Sequence, residues 1–187
     1  PAVTVQDAGG NTVATSSDSV TVAIANNPGG GTLGGTKTVS AVNGVATFSG
    51  LSIDKVGTGY TLTATSTGVT SATSGGFNIT PAAASKLVFT YEPDGGTAGV
   101  IWDYEPVVTV QDAYGNTVTS SSASITIGLG SNPGNSTLSG TATINASSGV
   151  AYFTDLSLDK PGNGYTLTAT GSGLTEATSS AFNITVG

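Results

Sequence analysis

Pro1-Ala-Val-Thr-Val-Gln-Asp-Ala-Gly-Gly-Asn-Thr-Val13 returns as Pro106-Val-Val-Thr-Val-Gln-Asp-Ala-Tyr-Gly-Asn-Thr-Val118. The offset of 105 residues continues without a gap to Phe77-Asn-Ile-Thr80 against Phe182-Asn-Ile-Thr185, and about 49 of the 80 aligned pairs are identical. Two stretches so alike share one fold, and a unit of this length is a whole domain, unlike the shorter unit of a solenoid. The 187 residues therefore read as two domains, 1–80 and 81–187.

Within each copy the apolar residues alternate with period two. Val3/Val5, Val20/Val22/Ile24 and Phe77/Ile79 in the first copy match Val108/Val110, Ile125/Ile127/Leu129 and Phe182/Ile184 in the second. Such alternation is the signature of strands that bury one face. The intervening Thr, Ser and Gln suit a solvated sheet surface, and β-branched Thr favours extended backbone. Disordered low-complexity chains lack this alternation. Turn formers punctuate the runs: Ala-Gly-Gly-Asn at 8–11, Asn-Pro-Gly at 27–29, Asn-Gly at 43–44 and Val-Gly-Thr-Gly at 56–59. In the second copy the pattern predicts strands near 86–91, 98–104, 107–112, 123–129, 141–146, 149–157, 164–170 and 177–185. About seven short strands per domain, with no helical period, is the count of a β-sandwich.

One detail narrows the sandwich type. Asp54-Lys-Val-Gly-Thr-Gly-Tyr60-Thr-Leu62 and Asp159-Lys-Pro-Gly-Asn-Gly-Tyr165-Thr-Leu167 set a Tyr two residues before a Leu. In immunoglobulin domains a corner Tyr stands two residues before the second Cys and bonds back to the backbone. Here the corner is kept and the disulfide is replaced by packing.

Composition removes most chemistry. The chain has no His, Cys or Met, only 8% charged residues, and all four of its basic residues are Lys. Imidazole catalysis, thiol chemistry, His/Cys metal sites and arginine clamps are excluded by count. A net charge of −7 is the wrong sign for holding a phosphate backbone, so no nucleic-acid partner is expected. No run approaches the length of a membrane span, and no membrane insertion is expected in this segment. There is no Gly-x-Ser-x-Gly elbow and no phosphate loop. The sequence predicts no enzyme, no catalytic residues, no metal and no cofactor. An N-terminus without Met or signal segment reads as processed or cut.

The runs VTVQDAYGNTVTSSSA (108–123), SKLVFTYEP (85–93), GVATFSGLSIDKVGTGYTLTAT (44–65) and FNIT (77–80) resemble the tandem bacterial immunoglobulin-like repeats of long secreted and surface proteins, akin to the stalk domains of invasin and intimin. The resemblance covers nearly the entire chain and is specific for a repeat type. It implies an extracellular, multi-repeat structural or adhesive protein of bacterial or archaeal origin, whose partners are neighbouring repeats, identical subunits or surface glycans.

The fold expected is all-β, two tandem immunoglobulin-like β-sandwiches, the first lacking its N-terminal strand. Ser85-Lys-Leu-Val-Phe-Thr-Tyr91 is the strand that opens the second copy, and nothing matches it before Pro1. Residues 1–80 are then left with an uncovered edge or groove. Two readings follow: a boundary of a longer array, or a strand donated by another chain.

Candidate sites come from one compositional anomaly. Tyr91, Trp102, Asp103, Tyr104 and Glu105, with Glu92 and Asp94, gather the only Trp with four of the eleven acids. Aromatic faces flanked by carboxylates suit a sugar or another subunit; lying between the copies, they equally suit packing of the junction. The same acids, with Asp112, suggest calcium, but no Asp-x-Asn-x-Asp-Gly loop is present. Asp7 and Asp112 read as turn carboxylates that accept backbone N–H groups. Lys55 and Lys160 lack a diagnostic motif for an intramolecular isopeptide bond. Asn78, Asn135, Asn145 and Asn183 match the Asn-x-Ser/Thr glycosylation pattern, which requires exposure.

Overall fold

The computed structural model describes residues 1–103 and 105–187. The chain divides into two compact units, Pro1–Thr80 and Pro81–Gly187. The described residues contain strands and turns and no helix.

The first unit runs β1 (Ala2–Thr4), β2 (Ser19–Asn26), β3 (Leu33–Gly34), β4 (Thr38–Ser40), β5 (Val45–Thr47), β6 (Ser52–Ile53), β7 (Gly57–Thr65), β8 (Ala72–Thr73) and β9 (Phe77–Ile79). One layer is the sheet β4-β2-β7-β8, with β9 also on β7; the other carries β1-β5, and β3-β6 closes an end. Val5, Val20, Val22, Leu33, Ala41, Ala46 and Phe48 meet between them. Strand β2 shows how sequence becomes layer. Its Val20 and Val22 are buried while Thr21 and Ala23 face water, and Thr21 and Thr38 share a 2.9 Å hydrogen bond across the solvated face.

The second unit runs β10 (Lys86–Tyr91), β11 (Gly96–Thr97), β12 (Val107–Gln111), β13 (Ser124–Leu129), β14 (Leu138–Ser139), β15 (Thr143–Asn145), β16 (Val150–Tyr152), β17 (Ser157–Leu158), β18 (Gly162–Tyr165), β19 (Leu167–Thr170), β20 (Ala177–Thr178) and β21 (Phe182–Thr185). Strands β12 to β21 repeat β1 to β9 at the 105-residue offset, with β7 split into β18 and β19. The sheets are β15-β13-β19-β20, β10-β12-β16, β11-β21-β18 and β14-β17. Strands β10 and β11 have no counterpart in the first unit. Both units are thus immunoglobulin-like sandwiches, and the first lacks the N-terminal strand.

Of the segment expected as a strand at 98–104, the described residues 98–103 form a loop. Only Gly96–Thr97 is extended, then Val100 N–H bonds Thr97 C=O at 3.1 Å and Gly99 takes φ 78°. Val100 and Ile101 point outward and Trp102 inward, an apolar triplet that strict alternation misreads. Residue 104 lies outside the described residues.

The tyrosine corner is present in both units. Tyr60 donates to Lys55 C=O and Tyr165 to Lys160 C=O, each at 2.9 Å, and neither Tyr has exposed surface. The neighbouring loop passes so close that a β-carbon on Gly134 would collide with the Tyr165 hydroxyl and the Pro161 carbonyl. Gly29 stands in the same relation to Tyr60 and Val56. Glycine is required there for close approach, with no demand on φ. The turns at 43–44 and 148–149 have both central residues in the left-handed region, with φ 51° and 78° in each, the type I′ geometry that matches strand twist.

The layers of the second unit are better covered. Val108, Ala169, Leu156 and Phe182 are buried, whereas Val3, Ala64, Leu51 and Phe77 are only half-buried. Each well-buried apolar side chain contributes about 1.5–3 kcal/mol. Calorimetry of the chain is expected to show two transitions, with residues 1–80 melting first and hydrogen exchange assigning them. Coincident melting of both units would contradict this. Tyr165→Phe is expected to destabilise the second unit by about 1–2 kcal/mol in urea unfolding, by stranding the Lys160 carbonyl.

Candidate functional site

The site grows from the edge of β1. In the second unit the equivalent strand, β12, is covered by β10 in antiparallel register: Lys86 opposite Gln111, Leu87 opposite Val110, Val88 opposite Thr109 and Phe89 opposite Val108. The other side of β10 reaches the opposite layer, where Leu87 N–H bonds Thr175 C=O and Thr175 N–H bonds Ser85 C=O, both at 2.9 Å. Leu87 and Phe89 are buried. This one strand therefore closes the gap between layers.

In the first unit that gap is an open groove of about 450 Å³, lined by Val3, Val5, Val20, Ala64, Val69 and Thr70 among others. A second opening of about 310 Å³ is lined by Leu33, Leu51, Ile53, Leu62, Phe77 and Ile79. A third, of about 330 Å³, shares Val3, Thr4 and Ala64 with the first and Pro1, Leu62 and Ser74 with the second. All three belong to the first unit.

Asp7 and Asp112 sit at the end of this edge as turn carboxylates. Asp7 Oδ1 accepts from Gly9 and Asn11 N–H, both at 2.9 Å. Asp112 Oδ1 accepts from Tyr114 and Asn116 N–H at 2.9 Å, and its Oδ2 accepts Asn116 Nδ2 at 2.9 Å and Ala82 N–H at 3.0 Å. Ala82 N–H is the addition, and it ties down the chain that leads into β10. Asp112 is fully buried and Asp7 exposed. Burial pushes the Asp112 pKa up, but the Asn116 side-chain and backbone bonds, with those from Ala82 and Tyr114, outweigh it and leave the pKa below the usual 3.8. Asp7 is lowered chiefly by the Asn11 N–H. Asp155 is lowered by the Thr141 hydroxyl and N–H, and Asp159 by the Thr137 N–H and Ser136 hydroxyl. Glu105 goes the other way, raised by burial and by Asp155.

The 91–105 cluster is dispersed. Trp102 is 2% exposed and belongs to the core of the second unit, its ring 5.2 Å from Phe182 edge-on and its backbone N–H bonded to Leu156 C=O at 3.2 Å. It presents no face to a sugar. Gly95 lies too close to the Asn183 backbone for any β-carbon, and its φ of 89° suits glycine. Gly96 and Thr97 pair in parallel with Ile184 and Thr185, which steers the indole inward. Tyr91 and Asp103 are exposed, Glu105 is half-buried, and Tyr104 lies outside the described residues. Glu92 accepts Ser180 N–H at 2.8 Å.

Sequence reasoning missed one pair. Tyr91 and Tyr152 are opposite Val107 from either side and both are exposed. Knowing that Val107 starts an antiparallel three-stranded sheet would have found them. All four sequon asparagines are exposed; Asn78 and Asn183 accept N–H bonds from Gly59 and Gly164 at 3.0 and 2.9 Å. Lys160 Nζ donates to Asn135 C=O at 2.7 Å. Among the described residues no three His, Cys, Asp or Glu gather as metal ligands.

No protein-family model matches the chain, and no curated protein matches it. Solved structures that do resemble it include a β-glycosidase from Bacteroides vulgatus (17% identity, TM-score 0.46, covering 90% of this chain and 21% of that one). A glycosyl hydrolase family 2 member from Bacteroides cellulosilyticus matches at 13% identity and TM-score 0.45, covering 90% and 22%. Invasin, a bacterial integrin-binding protein, matches at 20% identity and TM-score 0.35, covering 100% and 35%. The chain thus spans about a fifth to a third of their lengths, and likeness of this degree says nothing about activity.

Stability follows pH with a definite sign. A carboxylate whose folded pKa lies below its unfolded value gives stability that is full above the unfolded value and lost as pH falls through the folded one. Asp112, Asp155 and Asp159 act this way; Glu105 opposes them. The second unit is expected to keep its melting temperature from pH 7 to about 5 and to lose it below about 4. Asp112→Ala is expected to cost about 2–3 kcal/mol at pH 7, and the matching Asp7→Ala change visibly less, both read by urea unfolding.

Proposed function

We propose that the chain is a piece of an extracellular structural protein built from bacterial immunoglobulin-like repeats. It serves as a stalk, filament or surface-layer module whose partners are neighbouring repeats or identical subunits, joined by strand donation. The observation that carries this reading is the repetition of one cysteine-free sandwich, strand for strand, at a 105-residue offset. An exterior rich in Thr and Ser, and sandwiches that need no disulfide, support a load-bearing role outside the cell. We read the chain as non-catalytic.

A second reading, as an adhesin or carbohydrate-binding module, is favoured by the exposed Tyr91 and Tyr152 flanking Val107, since aromatic faces suit sugar or protein partners. Immunogold labelling of intact, unpermeabilised source cells tests the main reading. Label along fibres or a coat is expected, and label confined to the cell interior would reject it. Binding to a glycan array that Tyr152→Ala abolishes, with melting unchanged, would favour the module instead.

A further inference from the structure

The sheet β10-β12-β16 of the second unit carries aromatic rings on its solvated face. Val108 and Val110 are buried with their register partners Phe89, Ala151 and Leu87, so Val107 and Thr109 face outward. Val107 stands opposite Tyr91 on one side and Tyr152 on the other, which sets three outward side chains in one row across the strands. Tyr91 is 49% exposed and Tyr152 60%.

The fold itself does not ask for this row. Strict alternation from the buried Leu87 and Phe89 would turn Tyr91 into the core. A register shift between Phe89 and Tyr91 inserts Thr90 as an extra residue and re-aims the ring to the outside, as β-bulges do. Tyr152 has a control within the chain. At the 105-residue offset its place is taken by Thr47, exposed on β5 opposite Ala2, the counterpart of Val107. The repeat therefore folds with a small polar residue there, and the phenol ring serves something other than the sandwich.

Spacing and charge select a ligand. The two tyrosines are separated by two interstrand steps of about 4.7–4.9 Å each, about 9.5 Å in all. That matches the disaccharide repeat of an extended β-1,4-linked sugar chain, in which every second pyranose presents the same C–H face to a phenol ring. The next row, Val88–Thr109–Val150, adds no charge. The formal charges that flank the tyrosines are acids: Glu92 after β10, Glu105 before β12 and Asp155 after β16, while Lys86 lies opposite Gln111 at the other end of the sheet. Burial and the Asp155 charge together raise the Glu105 pKa, so these two carboxyls lie near each other. Such a rim repels an anionic polysaccharide and offers acceptors to the hydroxyls of a neutral one.

We propose that the Tyr91–Val107–Tyr152 row binds an uncharged, extended β-1,4-linked polysaccharide, which lies across β10, β12 and β16 with alternate sugar rings stacked on the two phenols. The site rests on the carbohydrate-binding reading above and names its ligand class. It is tested by calorimetric titration of the 187-residue chain with cellohexaose and N-acetylchitohexaose. Maltohexaose serves as the α-linked control and oligomannuronate as the anionic β-1,4-linked one. At least one of the two neutral β-linked sugars is expected to bind at least about tenfold more tightly than either control. Tyr152→Thr, which copies the folded first unit, and Tyr91→Ala are each expected to weaken that binding at least about tenfold with the melting temperature unchanged. Tyr152→Phe is expected to stay within about threefold, because the ring face and not the hydroxyl makes the contact.

Failure of both neutral β-linked hexasaccharides to bind at millimolar concentration would overturn the proposal, and so would unchanged affinity in Tyr152→Thr. If maltohexaose or oligomannuronate binds instead and Tyr152→Thr abolishes it, the carbohydrate-binding reading stands and this ligand class falls. If no sugar binds, both fall. Sedimentation of the chain alone covers the remaining occupant: self-association that Tyr152→Thr removes would make the row a contact between copies and would also overturn the proposal.

Discussion

Val108, Val110, Ile125, Ile127, Leu167 and Ala169 are held out of water between two sheets that no disulfide links. With no disulfide, the layers depend on that burial, so a gap along either edge exposes part of the core itself. Strand β10 meets this constraint by bonding to β12 on one side and Thr175 on the other. The indole of Trp102 meets it at the far end, against Phe182. The first unit has the same layers without either cover, and its half-buried Val3, Leu62 and Ala64 record the difference.

The buried carboxylate follows from the same constraint. Asp7 and Asp112 close identical turns, yet only Asp112 is buried and only Asp112 receives an N–H from the segment that covers its unit. A turn residue in one copy becomes an anchor in the other without any change of side chain. Its charge survives burial because backbone and amide donors surround it on both oxygens.

Much of this was legible in the residues. The 105-residue repeat, the alternation of Val20 and Val22 or Ile125 and Ile127, and the spacing Asp54…Tyr60…Leu62 lead to a sandwich with a tyrosine corner, because each is a local pattern with one inexpensive geometry. The absent partner of β10 was legible too, since one copy could be laid on the other. What stayed hidden lay between Glu92 and Glu105. There the period-two rule assigns a strand, while Gly95, Gly96 and Gly99 make turns and an approach to the Asn183 backbone that no local pattern announces. By sequence Trp102 groups with the acids beside it, as a binding surface or as junction packing, whereas its ring belongs to the core of the second unit. The Tyr91–Val107–Tyr152 row was invisible for a different reason: it depends on register between three strands far apart in sequence.

The depth of Trp102 bears on how the material ages. The side chains most readily attacked by peroxide or light are sulfur-containing or indole, and this chain has no sulfur at all. Its one indole is sealed behind Gly96 and Phe182, so a reactive oxygen species arriving from outside meets hydroxyls, amides and a few phenol rings. Damage to the core must wait for a sandwich to open, which makes weathering of the second unit a matter of how often its covering strand lifts.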